Sequence, residues 1–194
     1  MMETLETTPS QTVGPFFAYS LSAEQYGYPF DSIVNDVLVD ERSPDERIYI
    51  TGKVFDGAGA VITDALVELW QADETGRYRK IPIDRKNDGF TGFGRVGTGT
   101  NPDGSFSFTT IKPGSQSGGA PHINVMLLMR GSLHLLHTRI YFSDEINDKD
   151  VLFSSINAGR RNTLIATLNY GNGRTEYHFD IHMQGDRETV FFDI

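Results

Sequence analysis

The sequence predicts an all-β fold: an antiparallel β-sandwich with long loops and little helix, preceded by an N-terminal arm. Three observations predict it. Short runs of β-branched, aromatic and aliphatic residues recur along the chain. Turn pairs such as Asp56-Gly57, Asp103-Gly104 and Pro113-Gly114 punctuate them. Almost no stretch carries the 3.6-residue apolar period of an amphipathic helix. With 194 residues, the chain has the length of one sandwich domain with a full core. Residues 1–46 read as arm and connector, and residues 47–194 as the sandwich core.

Residues 1–10 are polar and expected to be loose. In Gln11 to Phe17, Gly14-Pro15 admits an unusual backbone path and then fixes it, while Phe16 and Phe17 need burial. The segment is either a packed arm or the lining of a pocket, and the two are compatible. Residues 18–46 read as an irregular or partly helical connector, with Tyr26, Tyr28 and Phe30 available to a partner chain.

The first strand is expected over 48–55 and the second over 65–72. On the second, Val67 and Leu69 share one face and Glu68 and Trp70 the other, so the sole Trp is a sheet-packing residue. From 73 to 100 the chain is Gly-rich and charged; no strand feeds directly into a helix there, so it is a functional or interface loop and not a phosphate loop. Asn101 to Gly104 forms a turn, and Phe106 and Phe108 of the next strand, 105–109, point inward. Residues 122–129 are apolar on both faces, which predicts a central, doubly covered strand. A turn at Arg130-Gly131-Ser132 leads into a strand over 133–142. Residues 143–162 read as a solvated loop with a helical turn at 148–155. Strands at 163–168 and 176–183 flank the turn Gly171-Asn172-Gly173, and 188–192 supplies a last edge.

A net charge of −9 and a pI near 4.9 argue against nucleic acid and against an anionic membrane surface, both of which call for clustered Lys and Arg. Cysteine is absent, which rules out disulfides and thiolate sites and fits a reducing cytosol. No run approaches about 18 apolar residues, so a soluble, cytoplasmic protein is expected.

His178, Asp180 and His182 share one face of their strand, but the two imidazoles stand about 13 Å apart along it, too far for one ion. That face reads as a polar or interface surface. His134 and His137 point to opposite faces.

In a strand, a His-x-His pair directs both rings at one metal; this chain has His122 and Asn124. Around that strand stand Thr12-Val13-Gly14-Pro15-Phe16-Phe17, then Asp64 to Asp73 with Gly76-Arg77-Tyr78-Arg79, then Thr110-Ile111-Lys112-Pro113-Gly114 and His137 to Phe142. In order and spacing these segments resemble the intradiol ring-cleaving dioxygenases, and most closely the α-type chains of the members built from homologous α and β chains. Catalytic members hold Fe(III) with two tyrosinates and two histidines. Tyr78 matches the first tyrosine and His122 the first histidine. The second tyrosine position falls at Ser115 or Gln116, and the second histidine position holds Asn124.

The resemblance therefore implies vestigial ligand positions at Tyr78, Gln116, His122 and Asn124, no metal bound by this chain, and no catalytic residue within this chain alone. It implies a homologous β subunit that bears the Fe(III), protocatechuate and O2 as substrates, 3-carboxy-cis,cis-muconate as product, and a higher-order α/β oligomer. Thr12, Gly14, Pro15 and Arg130 are the implied pocket-lining residues. Arg130 reads in two ways, as a side chain snorkelling to water or as one reaching across an interface to an anion. His122 and Tyr78 read equally as a satisfied core histidine and a buried, hydrogen-bonded phenol. The alternatives to an enzyme subunit are an inactive homologue serving assembly only and a small-ligand-binding sandwich.

Overall fold

The computed structural model describes residues 6–79, 89–171 and 173–193; the expectations for residues 1–5 and for Asn172 lie outside that set, as do 80–88 of the long loop. Strand β1, Arg47–Phe55, alternates strictly, burying Ile48, Ile50, Gly52 and Val54. Gly52 is required there, because a Cβ would stand 1.8 Å from the Phe179 carbonyl oxygen. Strands β2 (Leu66–Gln71), β3 (Phe93–Gly97), β4 (Ser105–Ile111), β5 (His122–Leu128) and β6 (Leu136–Phe142) follow. The last are β7 (Ile165–Gly171), β8 (Arg174–His178) and the two-residue β9 (Ile181–His182). Among the described residues helix is confined to α1 (Phe17–Leu21), α2 (Val151–Ser155) and three 3-10 turns.

The strand order is β3-β2-β5-β6-β7-β8-β1-β4, with β9 beside β1. Its first four strands form an antiparallel half. The other half, β7-β8-β1-β4, joins it through two parallel pairs between β6 and β7. Side chains of both halves, among them Val67, Leu69, Val125 and Ile140 from one and Ile50, Phe106, Phe108 and Tyr177 from the other, meet in one apolar core. The predicted all-β sandwich is observed, with a mixed sheet: β1 runs parallel to β8 and to β9.

Five local expectations are corrected. A strand, β3, stands inside the Gly-rich loop. β5 is central, but Met126 and Leu128 on its outer face are only half-buried, so it is not doubly covered within this chain. β6 begins at Leu136, because residues 129–135 form a wider connection than a tight turn. The strand expected over 176–183 breaks at Phe179-Asp180, where the Phe179 amide donates to the Thr51 carbonyl at 2.8 Å, and 188–192 contributes one bridge, His137 to Phe192. Among the described residues no helix is long and apolar enough to cross a membrane.

Candidate functional site

β5 has two chemically distinct faces. Ile123, Val125 and Leu127 enter the core, while His122 and Asn124 point the other way. The ladders place Asn124 between Trp70 of β2 and Arg139 of β6, and His122 opposite Tyr141. Tyr78 reaches this face from the loop after β2. The Asp73 carboxylate accepts from the amides of Thr75 and Arg77, each at 3.0 Å, and Gly76 takes φ 80°. The turn delivers the Tyr78 ring onto Trp70, centroids 4.8 Å apart. Trp70, expected as a sheet-packing residue, packs against Tyr78 but stays 45% exposed, so it forms a wall of this surface.

One hydrogen-bonded chain links the face. Asn124 Nδ2 donates to the Tyr78 hydroxyl at 2.8 Å, and Arg139 Nε donates to Asn124 Oδ1 at 3.1 Å. Arg139 Nη1 donates to the Tyr141 hydroxyl at 3.3 Å, which donates to Asp150 Oδ1 at 3.0 Å. Arg139 and Asp150 stand 3.9 Å apart. Burial raises the Tyr78 phenol above its ordinary pKa and pushes Tyr141 up to about 12, so both are neutral phenols near pH 7. Burial lowers His122, whose Nδ1 lies 2.9 Å from the Ala120 carbonyl. Burial also pushes Asp150 up, but hydrogen bonds from the Phe153 amide and Tyr141, with the charges of His122 and Arg139, hold it below the usual carboxylate range.

These residues do not fit a ferric ion. A hard trivalent ion selects anionic oxygen donors; the face offers two neutral phenols already engaged in hydrogen bonds, one imidazole, a guanidinium, and the Asp150 carboxylate, which is committed to the Tyr141 hydroxyl and the Phe153 amide. Gln116 lies on an exposed loop closed by its own backbone, with the Gly119 amide donating to the Gln116 carbonyl at 2.9 Å and Ser115 Oγ to the Gly119 carbonyl at 2.5 Å. The structure thus brings Tyr78, Asn124 and His122 to one face, while the Gln116 side chain is exposed on a loop whose backbone packs against Gly76. Arg139, Tyr141 and Asp150 escaped the sequence reading; the cross-strand register that pairs Asn124 with Arg139 is the signal for the first.

A second cluster forms at the far end of β5. Asn124 and Arg130 are six residues apart, about 20 Å along an extended chain. There Thr12 Oγ1 accepts from the Gly131 amide at 2.7 Å, and Arg130 Nε pairs with Asp64 Oδ2. Gly14 and Pro15 follow on an exposed turn, where the Phe17 amide donates to the Gly14 carbonyl at 3.3 Å. Thr12 and Arg130 are therefore neighbours through Gly131, with Gly14 and Pro15 next along the arm. Phe16, expected to need burial, is 72% exposed. Elsewhere, His178 Nε2 lies 3.1 Å from Asp180 Oδ1, at the mouth of a shallow polar cavity that His182 and Arg187 also line.

A sequence model described as Dioxygenase matches residues 29–185. The protocatechuate 3,4-dioxygenase alpha chain of Burkholderia cepacia is 46% identical over 197 residues, covering 100% of both chains. The corresponding beta chain of that organism is 31% identical over 188 residues, covering 87% of this chain and 77% of its own length. Among solved structures, the dioxygenase domain of a dioxygenase and carbohydrate-binding fusion from Streptomyces sp. SirexAA-E superposes with a TM-score of 0.63 at 29% identity, covering 95% of this chain and 100% of that domain. By these matches the chain belongs to the intradiol ring-cleaving dioxygenase family.

Proposed function

We propose that this chain is the non-ferric α subunit of a protocatechuate 3,4-dioxygenase. It completes, with a homologous β subunit that bears the Fe(III), an enzyme that inserts both atoms of O2 and opens the ring between its two hydroxylated carbons. The observation that carries this reading is the full-length likeness to an α chain; a face on which Asn124 is bonded to Tyr78 and Arg139 supports it. The cluster at the other end of β5 then supplies what this chain adds to a shared pocket. Thr12, Gly14 and Pro15 form a wall, and the Arg130 guanidinium faces the substrate carboxylate. The assembly is a higher-order α/β oligomer in the cytosol, a setting consistent with a chain that lacks cysteine.

The test is Arg130→Ala in the assembled α/β enzyme. A charge-assisted contact is worth roughly 1.5–3 kcal/mol, so kcat/KM for protocatechuate should fall about tenfold or more with iron content and complex size unchanged. Catechol, which lacks the carboxylate, should lose less. Unchanged kinetics for both substrates would remove the pocket role and leave a subunit that serves assembly only.

A further inference from the structure

We propose that Asp64 is the positioning residue for Arg130 and so a determinant of selectivity for carboxylated catechols, an inference that rests on the pocket role of Arg130 just given. β2 and β5 pair antiparallel with Leu66 opposite Leu128. Continuing that register two residues past the ladder sets Asp64 opposite Arg130, and the ion pair between Asp64 Oδ2 and Arg130 Nε is formed there.

The base of the carboxylate is rigid. Ala65, the next residue, is fully buried, its amide donates to Thr98 Oγ1 at 3.1 Å, and its carbonyl accepts from the Thr98 amide at 2.9 Å. The base of the guanidinium is held as well, since the Gly131 amide is tied to Thr12. Both side chains remain open to solvent, 55% and 38% exposed, so the pair contributes little to stability.

Its geometric consequence is larger. A guanidinium has a side-on edge at Nε and an end-on edge at its two terminal nitrogens. Asp64 takes Nε, and among the described residues the terminal nitrogens have no protein partner. The end-on edge, with its two parallel N–H donors, can still receive a carboxylate bidentately while Nε is engaged. An arginine on a flexible stem loses rotamer freedom when it binds an anion; one already held by Asp64 has lost part of it beforehand. Asp64 also repels an incoming carboxylate, but across solvent-exposed positions that repulsion is screened by salt.

The experiment compares Asp64→Asn, Asp64→Glu and Arg130→Ala in the assembled α/β enzyme, with KM and kcat measured separately for protocatechuate and catechol. Asp64→Asn should raise KM for protocatechuate roughly three- to tenfold, the range of a modest coupling between neighbours. Its kcat should stay within about twofold and the change for catechol should be smaller. Asp64→Glu should recover most of the loss, and Asp64→Asn combined with Arg130→Ala should be no worse than Arg130→Ala alone. If Asp64→Asn leaves KM unchanged or lowers it while Arg130→Ala raises it, the positioning role is overturned and the proposed function stands. Equal losses for both substrates also overturn it. If Arg130→Ala has no effect, the pocket role of Arg130 fails and this inference falls with it.

Discussion

Asn124 shows how a single residue changes the chemistry of a surface. A neutral amide both donates and accepts, so it bridges the Tyr78 phenol and the Arg139 guanidinium; an imidazole in its place would face that guanidinium with one donor-acceptor pair at most. Asn124→His with Gln116→Tyr restores the ligand types of the family without restoring a site. Arg139 still stands opposite on β6, and the new tyrosine would project from an exposed position of its loop with no group already placed to orient its hydroxyl toward a metal. We expect neither the wild-type chain alone nor this double variant to hold stoichiometric iron; metal analysis and the visible tyrosinate-to-iron charge-transfer band check this, and a coloured, iron-loaded preparation of either would contradict it. The positions of Tyr78, His122 and Asn124 were legible in the sequence because they lie within local motifs. Arg139 was not, because its meaning depends on which residue faces it across the ladder.

At the scale of elements, the five-residue helix α2 exists because of Asp150. Its carboxylate accepts from the Phe153 amide at 3.0 Å, which caps the helix, and from the buried Tyr141 hydroxyl, which ties the helix to β6. Asp150→Ala removes a cap and leaves a buried hydroxyl without its acceptor, at a cost of about 2–3 kcal/mol; the shift in denaturant midpoint measures it. The folded pKa of Asp150 is depressed, so its contribution is present in full above the unfolded value of about 4 and is lost as pH falls through the folded one. The stability gap between wild type and Asp150→Asn should accordingly close below about pH 4.

Most strands were legible from alternation, as Phe106 and Phe108 show. β3 was not, because Gly94 and Gly97 read as breakers. The structure gives them a packing reason: a Cβ on Gly94 would meet Leu38 at 2.3 Å, and one on Gly97 the Tyr26 hydroxyl at 2.3 Å. The connector lies flat across the strand, and glycine lets it do so.

The described residues bury a main core between two halves and a smaller cluster of Ala120, Tyr141, Phe153 and Leu164 beside it, yet leave Phe16, Tyr28, Phe30 and Ile33 of the arm and connector exposed. Tyr26, grouped with them in the sequence, instead packs over Gly97 within the chain. The parallel joints of β6 with β7 and of β1 with β8 were beyond the sequence, since they pair segments whose order in space no local pattern encodes. The bond from the Gly131 amide to the Thr12 hydroxyl spans 119 residues of chain, and it marks the arm with a proton that can be followed in time. One exposed hydrogen bond is worth about 1 kcal/mol, so in the separate chain this amide should be protected from exchange with deuterium only about fivefold. The amides of β5, interior to the ladder, should exchange orders of magnitude more slowly. If the arm becomes the wall of a shared pocket, adding the β subunit should slow the Gly131 amide by much more than fivefold while leaving the β5 amides nearly as they were, so a single peptide proton would time the moment at which the second subunit closes over the arm.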